Sequence, residues 1–300
     1  MALITKDIDE LLQPENLELT VYEAMNPTLN MLGLFDKKNN EGRKEFAFAK
    51  NETNAEKLIL DGIMKEPVEI QEASQLPQVQ ISGISYNTGN MRRIGFEAEF
   101  TDEAISDDIN YDKVALTTTM MGYSIARYLN RHAYQVLIQS AAAPTVELSE
   151  QTVTDGGWKD GNDFIDDDIK HIQRAFEDQE GFEYTLTDMY VSKDSYNVAE
   201  DYYEAVKEKD FTGVVRGMDM HKIRELNSGL LGLDQGLKPA KWYYNVYPED
   251  NKLNDAYGSF IHINRVDKLD EIPRSVKIQM YVEYGFAVLD PNAVFFQEGI

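Results

Sequence analysis

Apolar residues along this chain fall into two distinct periods, and the switches between them outline its elements. Between Glu45 and Phe100 the period is two: Phe46 and Phe48 alternate with alanines, Val68 with Ile70, Val79 with Ile81, and Phe96, Ala98 and Phe100 with Glu97 and Glu99. Pro67, Pro77, Gly83 and the run Asn87-Thr88-Gly89-Asn90 separate these segments, so they read as long, half-exposed strands, with a short helix at Glu56 to Met64. The last fifty residues carry the same signal more strongly. Val276, Ile278, Met280, Val282, Tyr284, Phe286 and Val288 alternate without interruption, followed by Asp290-Pro291-Asn292 and the apolar Ala293 to Phe296.

Between these β regions the period changes to that of a helix. From Tyr111 to Ile138 there is no proline, and Val114, Met121, Ile125, Leu129, Ala133 and Leu137 recur mainly at intervals of four, which predicts one buried stripe on a long helix. Such a helix would span roughly 40 Å, long for an ordinary domain. Further on, Phe164, Ile165, Ile169, Ile172 and Phe176 trace an amphipathic helix closing at Gly181; Asp188 to Ser192 reads as a strand, and Asp194 to Glu208 as a second helix. Gly213 to Lys241 reads as loop-rich. The first forty residues break into short apolar clusters around Pro14 and Pro27 and predict an arm that lies on something else.

Charge narrows the function classes. The 300 residues hold 53 acidic and 29 basic side chains, a formal net charge of −24, and no clustered basic run of the kind that exchanges counterions with phosphates. Tight nucleic-acid binding is therefore not expected. Glu150 to Asp210 alone carries 18 acidic against 6 basic residues, half of the excess in a fifth of the chain. Cysteine is absent, which excludes disulfides and thiolate metal sites. The segment MALITKDIDELL has no signal-peptide apolar core and no stretch approaches the roughly 18–20 apolar residues of a membrane span, so no membrane partner is expected.

The search for chemistry is mostly negative. His132, His171, His221 and His262 are scattered singly, with no paired metal-ligand motif, no nucleophile elbow and no phosphate loop. Gly229, Gly232 and Gly236 lack the strand-to-helix setting of a dinucleotide site. Asp155, Asp160 and Asp163 are the candidate metal ligands, hard oxygens beside glycines; their spacing departs from a calcium loop. The competing reading has Asn162 or Asp163 capping the next helix, with Asp166, Asp167 and Asp168 in its first turn, where carboxylates favour the dipole. No catalytic residue and no cofactor are expected.

Several segments, taken in order, resemble the major capsid proteins of tailed bacteriophages and archaeal tailed viruses, the Hong Kong 97-type fold shared with phage lambda. Gln71-Glu-Ala-Ser-Gln-Leu-Pro-Gln-Val79 is similar to the stretch leading out of that family's extended β-hairpin, the E-loop. Arg93-Ile-Gly-Phe-Glu-Ala-Glu-Phe-Thr-Asp-Glu-Ala-Ile105 resembles the strand and turn before its spine helix. Thr187 to Ser192 with the helix after it resembles a core element of its axial domain, and Tyr284-Gly-Phe-Ala-Val-Leu-Asp-Pro-Asn-Ala-Val294 its closing strand.

The resemblance implies an α+β fold: an N-terminal arm (1–42), the E-loop and start of a peripheral domain (43–100), the spine helix (101–150), an axial domain (151–241) and a return to the peripheral domain (242–300). It implies a structural shell subunit rather than an enzyme, assembling as hexamers and pentamers around packaged double-stranded DNA, made in the host cytoplasm and ending in the virion. Scaffolding, portal and decoration proteins are the implied partners, with the scaffold a separate protein because the spine helix begins too early for a fused one. Phe35, Phe46, Phe48, Glu66, Arg92 and Arg93 are the implied inter-subunit contacts, and Lys57, Lys65 and Asn292 lie in segments where some members crosslink. Two alternatives remain: an encapsulin-type compartment of the same fold, and an acidic hydrolase using paired carboxylates, which 53 acidic residues make impossible to locate from sequence.

Overall fold

The alternation near the end of the chain forms its longest strand. In the computed structural model, β11 runs from Ser275–Val288, and two strands flank its first ten residues: β10 (Ile261–Lys268) and β4 (Arg92–Thr101), both antiparallel to it. The structure describes Val21, Met25, Leu29 and residues 31–51, 84–101, 108–155, 157–158, 164–179, 184–207, 211–224, 229–246, 260–268 and 275–300. The strands expected at 68–70 and 79–81 and the short helix at 56–64 lie outside these residues.

The chain divides into two compact units. Unit 1 comprises 1–46, 88–133 and 241–287. Its sheet has the order β1 (Asp36–Asn39), β9 (Ala240–Tyr244), β11, β10, with β4 also paired to β11; β1 and β9 are parallel. Period two explains the register. Val276, Ile278, Met280 and Val282 oppose Phe100, Ala98, Phe96 and Ile94 on one face. On the other, Lys277 and Gln279 both bond the Glu97 carboxylate, at 2.7 and 2.8 Å, and Ser275 bonds Glu99 at 2.6 Å. The β11 side chains are buried, whereas Phe96 across from Met280 stays exposed, so β4 is covered on its apolar face only in part.

Helix α1 spans Asp108–Ser140, 33 residues against the 28 expected, about 50 Å at 1.5 Å per residue. Its predicted stripe is real: Met121, Ile125, Leu129, Ala133 and Leu137 are all buried. On the same side, a β-carbon at Gly122 would stand 3.0 Å from Val21 Cγ1, a tight contact. A two-stranded sheet pairs β2 (Glu45–Asn51) with β3 (Ile84–Asn90).

Unit 2 comprises 47–87, 134–240 and 288–300. Its sheet runs β12 (Val294–Gln297), β8 (Leu230–Leu233), β5 (Asp188–Ser192), β7 (Met218–Ile223), β6 (Val214–Val215). Helix α2 (Glu150–Asp155) is short; α3 (Ile165–Glu177) lays Ile165, Ile169, Ile172 and Phe176 into a core with Met189, Val191, Met220, Leu230 and Phe295. Helix α4 (Lys193–Lys207) starts at Ser192, whose Oγ accepts from the Ser195 amide at 3.0 Å, an N-terminal cap.

Two expectations are corrected here. Gly213 to Lys241 is less loop-rich than expected: its described residues supply β6, β7, β8 and the first two residues of β9. Central strands buried on both faces, such as the fully buried Leu-Leu-Gly-Leu of β8, lack the alternation that marks a strand. Gly232 is in that strand because a β-carbon would come within 2.7 Å of Leu186 Cδ1. The N-cap of α3 is Phe164, without a side-chain cap bond, rather than Asn162 or Asp163.

Candidate functional site

In unit 1 the functional geometry gathers at the turn between β1 and β2. That turn carries Glu41 and Gly42 with φ of +55° and +73°, a left-handed pair that a side chain at Glu41 occupies at a cost. Three asparagines hold it. Asn39 Oδ1 accepts the Glu41 amide at 2.9 Å, Asn40 Nδ2 donates to the carbonyls of Arg43 and Glu45, and Asn245 Oδ1 accepts the Gly42 amide at 3.1 Å. Asn245 Nδ2 also donates to the Arg43 carbonyl and, at 2.8 Å, to Glu283 Oε2. His262 donates from Nε2 to the Asn245 carbonyl at 3.0 Å. Glu283 is thereby desolvated, with 11% of its side chain exposed, and its other oxygen takes the Arg93 guanidinium, whose Nε lies 2.8 Å away. Arg93 in turn lies 4.5 Å over the Tyr281 ring. The buried carboxylate thus has partners on both oxygens, the condition for tolerating its burial.

Phe46 fixes the first residues of β2. Its ring stacks on Tyr243 at 4.3 Å and 19°, and it fills the space that β-carbons on Gly89 and Gly285 would need. Phe35, just before β1, packs on Phe286 at 4.9 Å. Beside them, His132 on α1 makes T-shaped contacts with Tyr284 and Phe286. Its Nε2 faces Arg92 Nη1 at 3.3 Å, and its Nδ1 faces the Tyr284 hydroxyl at 2.9 Å. Arg92 can only donate, so Nε2 accepts and Nδ1 carries the proton. Burial first, then the Arg92 charge, hold His132 below its ordinary value, in agreement with that neutral form.

The sequence-derived contact residues separate accordingly. Phe35 and Phe46 are buried within unit 1, their rings committed to Phe286 and Tyr243. Arg92 and Arg93 are exposed but engaged, Phe48 is half-buried, and Glu66 lies outside the described residues. Other large side chains are exposed, among them Tyr86 on β3, 85% exposed, and Leu116, Met120, Tyr123 and Tyr128 on the side of α1 opposite its buried stripe. Their spacing of three, four and five is the complement of the core stripe and was available to sequence reasoning.

Of the candidate metal ligands, Asp160 and Asp163 lie outside the described residues and Asp155 ends α2. The residue that matters nearby is Asp168, fully buried in unit 2. It accepts the Ser149 amide at 2.7 Å, Trp158 Nε1 at 3.1 Å and the Thr152 hydroxyl. Asp166, Asp167 and Asp168 do sit in the first turn of α3, and Asp168 in addition ties the segment before α3 to the helix.

Among the described residues the large shifts belong to tyrosines moved away from neutrality: burial first, then Glu298, pushes Tyr134 up to about 12, and burial leads the upward shifts of Tyr184, Tyr190 and Tyr203. Acid–base catalysis needs groups brought toward the working pH.

Residues 88–295, more than two thirds of the chain, match the family described as phage capsid protein. The chain belongs to the phage capsid protein family. It is a capsid shell protein, structural rather than enzymatic. Solved structures agree on its fold. A virus-like particle from Pyrococcus furiosus superposes with a TM-score of 0.58 at 11% identity, covering 95% of this chain and 98% of that one. The capsid of cyanophage P-SCSP1u gives 0.58 at 10% identity, with 88% and 86% covered, and the mature capsid of bacteriophage PhiM1 gives 0.54 at 9%, with 89% and 86% covered. The capsid protein thus has the Hong Kong 97-like α+β fold. No curated protein matches it by sequence. Among its described helices none is long and apolar enough to cross a membrane.

Proposed function

We propose that this capsid protein assembles as pentamers and hexamers into an icosahedral shell that encloses double-stranded DNA. The observation that carries the reading is the family match over residues 88–295. The geometry adds support: Phe46 and the Asn245–Glu283 cluster hold the turn that leads into β2, and Tyr86 on β3 is 85% exposed. An aromatic so uncovered suits contact with another copy. In this reading the segment 1–42 is an arm whose end, β1, joins β9 in the unit 1 sheet, 43–100 the E-loop with the start of the peripheral domain, 101–150 the spine, 151–241 the axial domain, and 242–300 the return. Phe48, Glu66, Arg92 and Arg93, with Tyr86, contact neighbours. Scaffolding, portal and decoration proteins are the expected partners, the host cytoplasm the place of synthesis and the virion the destination.

The net charge of −24 fits a wall that encloses DNA without binding its sequence, since backbone binding needs clustered cations. Electron microscopy of the purified protein, alone and co-expressed with the neighbouring genes, tests the proposal. Closed shells, or rings of five and six, are expected; a monodisperse monomer at high concentration in moderate salt overturns it.

The second reading is an encapsulin-type compartment of the same fold that holds cargo protein instead of a genome; a virus-like particle is among the structures that share the fold. Purified shells decide between the two by content: nuclease-protected DNA supports the first, a stoichiometric co-purifying protein the second.

A further inference from the structure

Asp188, Asp219 and His221 converge on one face of the unit 2 sheet. Strands β5 and β7 are parallel, with Asp188 opposite Asp219 and Tyr190 opposite His221. Residues two apart on a strand share a face, so the four side chains make a square on it. One ligand-type atom from each of Asp188, Asp219 and His221 lies within 4.8 Å of the other two. His221 Nε2 and Asp188 Oδ1 are 3.2 Å apart. Two ligands of one ion with bonds of about 2.1 Å stand roughly 3.0–3.4 Å apart in octahedral or tetrahedral geometry. The third ligand needs only a rotamer adjustment, which an exposed Asp219 can make.

The surroundings orient the ligands. Thr187 Oγ1 donates to Asp188 Oδ2 at 2.6 Å, which turns Oδ1 toward the imidazole. The Tyr190 ring stacks on His221 at 4.8 Å and 22°, fixing the plane of the ring. Hydrogen-bonded and packed outer partners of this kind set ligand direction in metal sites. Electrostatics adds a reason: carboxylates directly opposite on adjacent strands repel, here in a chain of net charge −24, and a bound cation removes that cost. The donor set selects the ion. An imidazole with two carboxylates and no thiolate suits borderline divalent metals, whereas calcium and magnesium prefer oxygen alone.

We propose that Asp188, Asp219 and His221 form a binding site for one divalent transition-metal ion of the zinc or manganese class, completed by water. The alternative use of the cluster is a contact between His221 and the aspartates with no ion between them. The two differ in a metal titration: a site takes up one ion saturably, and the direct contact takes up none.

Calorimetric titration of the metal-stripped full chain with zinc chloride, and separately with manganese chloride, tests the site. About one ion per chain is expected, retained in millimolar calcium. His221→Ala and Asp219→Asn should each weaken binding at least tenfold, while His171→Ala, on the exposed face of α3, should not. Absence of saturable binding by both ions, displacement by millimolar calcium, or unchanged affinity in both site variants overturns the proposal. Circular dichroism of the variants shows that the fold is kept; both substituted residues are exposed, and either variant suffices.

Discussion

The ring of Phe46 occupies the volume that a β-carbon on Gly285 would need, so the two residues, far apart in sequence, are fitted to each other. Gly89 completes the slot and Tyr243 forms its floor. Overfilling a packed site costs about 1–3 kcal/mol. Gly285→Ala should lower stability by that amount in thermal or denaturant unfolding. Adding Phe46→Leu, which shortens the ring, should recover part of the loss, a non-additivity expected of residues in contact. Equal stability of Gly285→Ala and the parent protein would show that the slot is loose.

Asn245 and Arg93 both bond Glu283, yet their removal should differ. Arg93 is 60% exposed, and ion pairs of that exposure contribute about 0–1 kcal/mol, so Arg93→Ala should have little effect. Asn245→Ala removes the acceptor of the Gly42 amide and a donor to the buried Glu283 oxygen together, while the Arg43 carbonyl keeps Asn40, at about 1–3 kcal/mol for each buried bond lost. Chemical denaturation of the two variants measures the contrast, with Asn245→Ala the more damaging by at least about 2 kcal/mol.

Asp168→Ala should be among the most harmful substitutions in unit 2. It leaves the Ser149 amide and the Trp158 indole N–H without their acceptor inside the protein, for an expected loss of about 3 kcal/mol or more. Trp158 reports on it directly, through a shift in its fluorescence. Asp168→Asn, which keeps one acceptor oxygen, should fall between the two.

His132 gives a pH dependence whose sign follows from its lowered value. As pH falls below about 6.5 the unfolded chain takes up a proton at this residue and the folded chain does not. Stability contributed here is therefore full above about 6.5 and declines below it, until the folded ring protonates. Protonation would also oppose the Arg92 contact. Unfolding midpoints between pH 7.5 and 5.5 should fall more for the parent than for His132→Gln. The difference should stay below about 1 kcal/mol, because the partly exposed ring is screened by solvent.

How far the sequence reached depends on the element. Helix α1 was legible because its stripe of Met121, Ile125, Leu129, Ala133 and Leu137 repeats over five turns, and β11 because its alternation never breaks. Strand β8 was not, since Leu230, Leu231 and Leu233 are buried on both faces and carry no period. The exposed face of α1 could have been read as the complement of its core stripe; the metal-type cluster could not, because Asp188 lies 31 positions from Asp219 and only the parallel pairing of β5 and β7 sets them side by side.

The sequence by itself determined the character of each element, the excess of acid and the absence of cysteine, and through segment order it pointed to a capsid fold. Periodicity reports which side of an element is apolar, a property of neighbours along the chain. Tertiary structure alone decided that Phe46 fills the space beside Gly285, that Asp168 is buried on Ser149, Thr152 and Trp158, and that Asn245 joins the turn at Gly42 to Glu283. Those choices depend on which strands pair and in what register. Register is settled when distant faces close on one another to bury their apolar surface, and no local pattern records the partner.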